Sequence, residues 1–574
     1  MASEPTNLDE EMADREETPL PDIRIIKDPI YDYIEVDSFI CQFIVRPQFQ
    51  RLRGIKQLGT SHFVFPSASH NRFEHCLGVM HLAKMMVEHL ALQSGLGITE
   101  RDSQCVQLAG LLHDLGHGPF SHVFDGQFIP KERPDYDWKH EDASELMFEA
   151  LLVENDIDLP RKDINFIRDL IAGINRHPEN DEKPFLFEIV ANKVNGLDVD
   201  KFDYIARDTH HIGGNKCSLA ALRLIKSSRV IGNHITYSNK DITNVFLVFQ
   251  ERWSLHKRVY THPASRAIEY MVVDTLLAAD PYMKLSQQID DPSRYIFLTD
   301  SVLEEIERSS QPELAASRDI IKRLRTRKLY KCVDSLHLHS GDEIHWKNMV
   351  TSQNIAREAN LVREAEAETL SQREVTADDI IVDWSFVHFG MKDKNPVELV
   401  LFYGKHKPNM AKHARPEEYS QTFPHDFAEV ALRVYTRDRS LYGLVQAGFR
   451  AVQQQCLTTL TQSSYKTPLR ATSTLPESVS TSGGVLYDGN PFTAVPPSFS
   501  GPGSPRNKAP RVGGARSGLS TTSSRESPSL VDERQGLSTL GPMTKGASAK
   551  RYWEPEDSNV NTLGLQQVKR AKRE

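Results

Sequence analysis

Three histidines and a carboxylate fall within one short stretch, Leu108–Phe124, which reads LAGLLHDLGHGPFSHVF. An apolar helix (Val106, Leu108, Ala109, Leu111, Leu112) delivers His113 and Asp114 side by side, and His117 follows one turn later on the His113 face. Gly116, Gly118 and Pro119 then break the helix, with Ser121 and His122 in the loop beyond. Buried imidazoles and carboxylates need partners. A lone histidine here reads as a core residue, whereas this cluster reads as a site for a divalent or transition metal.

Further donors lie on other helices. SHNRFEHCLG (Ser69–Gly78) opens an amphipathic helix carrying His75, and GLDVDKFDYIARD (Gly196–Asp208) spaces Asp200, Tyr204 and Asp208 along one helical face. A metal held by His75, His113, Asp114 and Asp200 keeps positions open for water and a phosphate oxygen, and polarises the phosphoryl group. A polyanionic substrate then needs cations. Arg72 precedes His75, Lys201 follows Asp200, and the helix Val245–Tyr260 lines up Arg252, His256 and Tyr260. The leaving oxygen needs a proton donor, and His140–Glu141 in WKHEDAS supplies an acid with an orienting carboxylate. His117 and His122 would contact the phosphates directly.

These residues require a helical scaffold. Apolar periodicity predicts helices over 72–91, 103–116, 140–153, 162–174, 186–194, 197–208, 218–228, 243–260 and 264–279. Ahead of them, Ile23–Ile30 and Tyr31–Val36 read as an extended run and a short strand or hairpin. Ser38–Leu58 reads as a helix interrupted at Pro47, and a strand pair is expected near Val230–Tyr237. Past Pro281 the pattern changes. One or two charged helices over 300–327 lead to strands at Lys328–Asp334, Ile380–Phe386 and Val397–Gly404. Glu358–Glu374 reads as a solvated helix or insert, and Phe427–Val434 and Leu441–Thr458 as closing helices.

The resulting plan has an acidic disordered segment over 1–20, a phosphohydrolase core over 21–280, an α+β lobe over 281–460, and a disordered Ser/Pro/Gly-rich basic tail over 461–574. In that tail, Lys569–Arg573 is a candidate nuclear-localisation or nucleic-acid contact, and Thr467-Pro468, Ser504-Pro505 and Ser527-Pro528 are candidate kinase sites. Net charge is −9, and the six cysteines are scattered without a CxxC pair. That usage fits reduced thiols of an intracellular protein, neither a zinc ribbon nor a disulfide framework. No apolar run approaches a membrane span. The acidic start resembles no secretory or mitochondrial leader. Residence in the nucleus or cytoplasm is expected, the nucleus being favoured.

The ordered set H…HD…D, with HNRFEHCLGV, AGLLHDLGHGPFSHVFDGQFIP, NGLDVDKFDYIARD and PQFQRLRGIKQLG, resembles the HD-domain metal-dependent phosphohydrolases. Within them these motifs closely resemble the vertebrate SAM- and HD-domain deoxynucleoside triphosphate triphosphohydrolases. It runs from about Ile23 to near Cys456 and is weaker after Lys284; no SAM-type module is expected ahead of the core. The resemblance implies a mainly α fold with a helical HD core. It also implies cleavage of dNTPs to deoxynucleoside and inorganic triphosphate, a lowered dNTP pool, and a role in restricting retroviruses.

By motif position, His75, His113, Asp114 and Asp200 would hold zinc or iron, with magnesium or manganese accompanying the substrate. His140 would be the general acid, supported by Glu141 and Asp125, with His117 at the α-phosphate. Arg72, His122, Lys201 and Arg252 would hold phosphates. Gln57 and Asp208 would read the sugar 3′-hydroxyl, while Leu58, Tyr204 and Tyr260 would crowd the 2′ position. A GTP or dNTP activator would bind near Arg24, Lys27, Gln50, Arg53, Arg223, Lys240 and Asn244 and assemble a homotetramer or homodimer. Here the chain departs from the pattern. Val45 replaces a guanine-reading acid, Lys27 an asparagine, Pro263 a lysine and His413 an arginine. Val45 cannot accept hydrogen bonds from guanine N1 and N2, so GTP activation is not expected to carry over unchanged. Two alternatives remain at this stage: an HD phosphodiesterase or nuclease acting on cyclic nucleotides or single-stranded nucleic acid, and a nucleic-acid-binding protein working through the basic tail.

Overall fold

A computed structural model describes residues 23–213, 221–365, 373–418 and 424–464. The expected acidic and basic tails, their candidate phosphorylation sites and Cys217 lie outside the described residues.

A hairpin, β1 (Ile23–Asp28) with β2 (Asp32–Asp37), comes first among the described residues. Asp37 caps α1 (Ser38–Ile44), and Pro47 starts the single turn α2 (Pro47–Gln50), so the helix expected over 38–58 is two short pieces followed by 3-10 turns. The scaffold proper is α3 (Arg72–Ala91), α4 (Glu100–Leu112), the turn α5 (Ile129–Glu132), α6 (His140–Glu154), α7 (Arg161–Ala172) and α8 (Val199–His211). Capping boxes start α3 (Asn71 with Glu74) and α4 (Thr99 with Asp102), satisfying N–H groups that would otherwise lack partners. Asp198 caps α8 by accepting from the Lys201 N–H.

Two glycines permit the close approaches that build the site. A Cβ on Gly78 of α3 would lie 1.9 Å from Asp203 Oδ1 on α8, and one on Gly116 would lie 2.1 Å from the Ser144 nitrogen of α6. With hydrogen there, α3 and α8 bring His75 to Asp203, and the turn after α4 seats against α6.

The chain continues through α9 (Ala221–Ser227), the pair β3 (Arg229–Ile231) and β4 (His234–Ser238), α10 (Ile242–Leu255) and α11 (Pro263–Met283). Short helices α12 (Pro292–Tyr295), α13 (Val302–Arg308) and α14 (Ala315–Arg325) lead to β5 (Lys331–His339), α15 (Glu343–Met349), α16 (Ser352–Ala365) and β6 (Ile380–His388). Then come β7 (Leu401–Gly404), β8 (Lys407–His413), β9 (Ala428–Thr436) and α17 (Tyr442–Ser464). The fold is mostly helical, with one sheet ordered β3-β4-β7-β8 and another β5-β9-β6. Residues on both sides of 280 share one hydrophobic core, which includes Val397, Phe402 and Tyr435; a smaller core packs β5, β6 and β9 on α16 and α17. Among the described residues no helix is long and apolar enough to cross a membrane.

Several expectations are corrected. Phe427–Val434 is not a helix: β9 is the central strand of its sheet, paired on both edges. Buried almost throughout, it shows no strand alternation, and its charges Glu429 and Arg433 stand four apart, as on a helix face. The helix expected over 186–194 is only a 3-10 turn, Pro184–Glu188. Pro396–Leu399 is a 3-10 turn ahead of a short β7, and β8 was not anticipated. The helix expected over 103–116 ends at Leu112, with His113 as its C-cap. The one expected over 243–260 passes into a π turn at His256–Tyr260; a second π turn spans Phe124–Phe128. Such turns recur at functional sites because they re-aim side chains.

Candidate active site

A cavity of about 790 Å³ opens where α3, α4, α6, α8 and α10 meet, within the usual size range for a small-molecule site. All four expected metal residues line it, as do His117, His140 and Glu141. So do Gln57, Leu58, Arg72, His122, Lys201, Tyr204, Asp208, Arg252, His256 and Tyr260. Gly390 and Met391, beyond β6, add a wall that the sequence did not point to.

His75, His113 and Asp200 each offer a ligand atom within 4.8 Å of the others. The His113 Nδ1–H donates to the Gly110 carbonyl (2.9 Å), and the His75 Nδ1–H donates to Asp203 (2.7 Å). These bonds leave the Nε2 atom of each ring to serve a metal once it is deprotonated. His75 Nε2 lies 3.2 Å from Asp200 and 3.5 Å from Asp114, while His113 Nε2 is buried without a hydrogen-bond partner. The two rings stand at 73°, so their in-plane lone pairs can converge. An orphaned buried nitrogen among carboxylates fits a divalent metal; Asp114, the fourth expected donor, lies beside this three-residue cluster and is paired with Arg72.

Electrostatics agree. Burial disfavours a charged His75, but hydrogen bonds to Asp200 and Asp203 override it and hold the imidazole up to about 10 in the metal-free chain. Burial would raise Asp200, yet His113 and His75 hold it well below the usual carboxylate range. Asp114 is also held low against burial, chiefly by Arg72. Arg72 is itself buried, paired to Asp114 and donating to Ser121 Oγ at 2.8 Å. In this state it braces a metal residue.

A second group differs. His117, His122, Asp125 and His140 also cluster within 4.8 Å. However, His117 and His140 stack face to face, 3.8 Å apart at 19°. Nearly parallel rings direct their lone pairs side by side, so these two do not form a metal cage. His140 Nδ1 meets Asp125 at 2.6 Å and Glu141 at 3.3 Å, so Asp125 rather than Glu141 is the nearer orienting carboxylate. Burial, with Arg72 and His140 nearby, pushes His117 well below the usual histidine range. His122 sits at the open face of the cavity.

The turn carrying these residues is strained. Phe120 and Ser121 both take left-handed backbone angles, φ 58° and 56°. Buried Asp300 holds that turn, accepting from the Phe120 N–H (2.6 Å) and the Lys56 N–H (2.9 Å). Burial pushes Asp300 up to about 6, against those two bonds.

Elsewhere in the cavity, Lys201 pairs with Asp198 at 3.2 Å, and Arg252 donates to the His388 carbonyl at 2.6 Å. Tyr260 donates to Asp208, which also bonds His70 at 2.7 Å. His256 is half-buried and held well below its ordinary pKa by desolvation and by Arg252.

The expected activator residues fall into two groups with separate partners. Arg24 and Lys27 lie on β1, Lys27 pairing with Asp32; Gln50 donates to the Ile44 carbonyl and accepts from Arg53. Arg223 and Asn244 instead gather on Asp241, with Lys240 adjacent in the 3-10 turn. Val45 is exposed, Pro263 begins α11, and His413 ends β8 on the surface.

Residues missed at the sequence level include Asp203, His70 and Asp300. Asp203 stands four residues before Arg207, and that spacing was the available signal for the buried ion pair they form at 2.9 Å.

The HD-domain family model matches residues 72–208 and the HD-associated region matches 220–398. The deoxynucleoside triphosphate triphosphohydrolase SAMHD1 of Mus musculus is 39% identical over 475 residues, 75% of this chain and 71% of the relative. The Homo sapiens SAMHD1 is 41% identical, covering 74% and 72%, and the Dictyostelium discoideum SAMHD1 homolog 40%, covering 74% and 80%. With its HD helices matched and about three quarters of its length aligned to these enzymes, the chain belongs to the SAMHD1-related family of HD-domain proteins.

Proposed function

We propose that the chain is a metal-dependent deoxynucleoside triphosphate triphosphohydrolase, releasing deoxynucleoside and inorganic triphosphate. The observation that carries this reading is that one cavity is lined both by the metal donors and by Gln57, Asp208 and Tyr260, a hydroxyl-binding set. A nucleic-acid phosphodiesterase does not need the second set.

His75, His113, Asp114 and Asp200 would hold zinc or iron, and a bound metal would supply Lewis acidity and an activated water. The remaining work falls to the chain. Arg252, Lys201 and His122 bind triphosphate oxygens, joined by Arg72 if it leaves Asp114. Neutral His117 contacts the α-phosphate. His140, its Nδ1 held by Asp125, donates its Nε2 proton to the leaving 5′-oxygen. Gln57 and Asp208 read the 3′-hydroxyl, while Leu58, Tyr204 and Tyr260 exclude a 2′-hydroxyl.

For regulation we read Val45 as removing guanine recognition, leaving a different activating nucleotide or constitutive assembly; an unchanged GTP-driven tetramer on sizing would contradict this. Control of dNTP pools, nuclear residence and antiviral restriction extend the same reading.

The test incubates purified protein with each dNTP and matching NTP, with Mn²⁺ or Mg²⁺, with and without GTP. The expected products are deoxynucleoside and triphosphate, lost in the doubly substituted His113→Ala/Asp114→Ala protein. Cleavage of cyclic nucleotides or single-stranded nucleic acid in place of dNTPs would instead make it a phosphodiesterase or nuclease.

A further inference from the structure

His70 touches both groups that face the sugar hydroxyl. Its backbone carbonyl accepts the Gln57 N–H at 3.0 Å, and its ring Nε2 meets Asp208 Oδ1 at 2.7 Å. Gln57 lies in a loop ahead of α3, whereas Asp208 lies near the end of α8. The His70–Asp208 contact spans 138 residues of sequence, and a one-residue bridge between Lys56 and Asn71 holds the loop beside it.

The surroundings make this linkage stiff. The His70 side chain is fully buried, and its ring stacks on His211 at 4.3 Å with only 11° between planes. His211 in turn lies 3.7 Å from Glu74, which belongs to the capping box of α3. Asp208 is therefore anchored on both oxygens, Oδ1 by His70 and Oδ2 by the Tyr260 hydroxyl. Each carboxylate oxygen keeps a second lone pair. Gln57 Oε1 is buried without a hydrogen-bond partner, and Gln57 lines the cavity beside Asp208. An unpartnered buried acceptor beside an anchored carboxylate is a receptor for a hydroxyl donor.

We propose that His70 is a positioning residue for sugar specificity: it fixes Gln57 through its backbone and Asp208 through its ring, so that together they hold the 3′-hydroxyl of the substrate. The inference rests on the deoxynucleotide reading of the cavity. A site built around a substrate hydroxyl rejects analogues lacking it strongly, because the protein's polar groups are left unpaired. Loosening Asp208 lowers that rejection before it lowers binding of the triphosphate.

The test compares kcat/KM for dGTP and 2′,3′-dideoxyGTP in the full-length wild type, His70→Leu and His70→Gln. Glutamine keeps an N–H near the ring Nε2 position; leucine does not. His70→Leu should cut the dGTP preference by about tenfold or more, and His70→Gln should restore most of it. Thermal melting of all three verifies folding. If the wild type discriminates and His70→Leu keeps the same ratio, or if both variants lose it equally, the positioning role is wrong. If the folded wild type turns over neither nucleotide, or both equally, the hydroxyl-reading assignment of the cavity fails, and this proposal with it.

Discussion

Two groups of histidine and aspartate share one cavity, and they differ in ring orientation more than in composition. His75 and His113 stand at 73° with Nδ1 of each engaged, which leaves two convergent Nε2 lone pairs facing Asp200 and Asp114. His117 and His140 stack at 19°, and Asp125 takes the His140 Nδ1. The first geometry collects lone pairs on a point, as a metal requires. The second lays imidazoles side by side, where one neutral ring can lie beside another that carries a proton. Residue type alone does not distinguish a metal centre from an acid–base pair; the second partner of each imidazole does.

The contrast can be broken from either side. Replacing Asp200 by alanine should have the largest effect, removing both the bound ion and turnover; metal analysis and product assay on the same sample check this. His140→Ala should lower kcat by about 10²–10⁴-fold while the ion stays bound. Asp203→Asn acts through His75 and should weaken metal affinity by about 10–100-fold, read by competition with a chelator.

The smallest effect is a pH signature. His75 in the metal-free chain is held up to about 10, above the ordinary histidine value near 6.5, so its protonated form adds stability that is complete below about 6.5 and lost as pH rises through about 10. A metal needs the neutral ring. Metal uptake near pH 7–8 should therefore release about one proton from His75, and apparent affinity should rise with pH across that window; calorimetry in buffers of different ionisation enthalpy reads the proton count.

Much of the site was legible because its donors sit on, or just beyond the end of, helices rich in apolar residues. The α3 boundaries follow from Asn71 as a cap and from the apolar stripe, and the stripe on α8 presents Asp200, Tyr204 and Asp208 to one cavity. What was missed depends on contacts distant in sequence. Asp203 acquires its role from a histidine 128 residues away, and His70 from an aspartate 138 residues away. Neither carries a local pattern. The π turn at His256–Tyr260 was equally silent, since helical spacing continues into it from α10. β9 was misread for the opposite reason: pairing on both edges and burial along its length leave a mostly apolar stretch with no alternation to detect. Arg433 within it was no obstacle, because Asp383 on β6 lies 3.6 Å away.

The most direct test of this division of labour measures bound metal and released inorganic triphosphate together, in the full-length wild type and in His140→Ala. The account predicts an equal metal content in both proteins and triphosphate release from dNTPs by the wild type alone. Loss of the ion from His140→Ala, or undiminished triphosphate release by it, would contradict the assignment of the stacked pair to proton transfer.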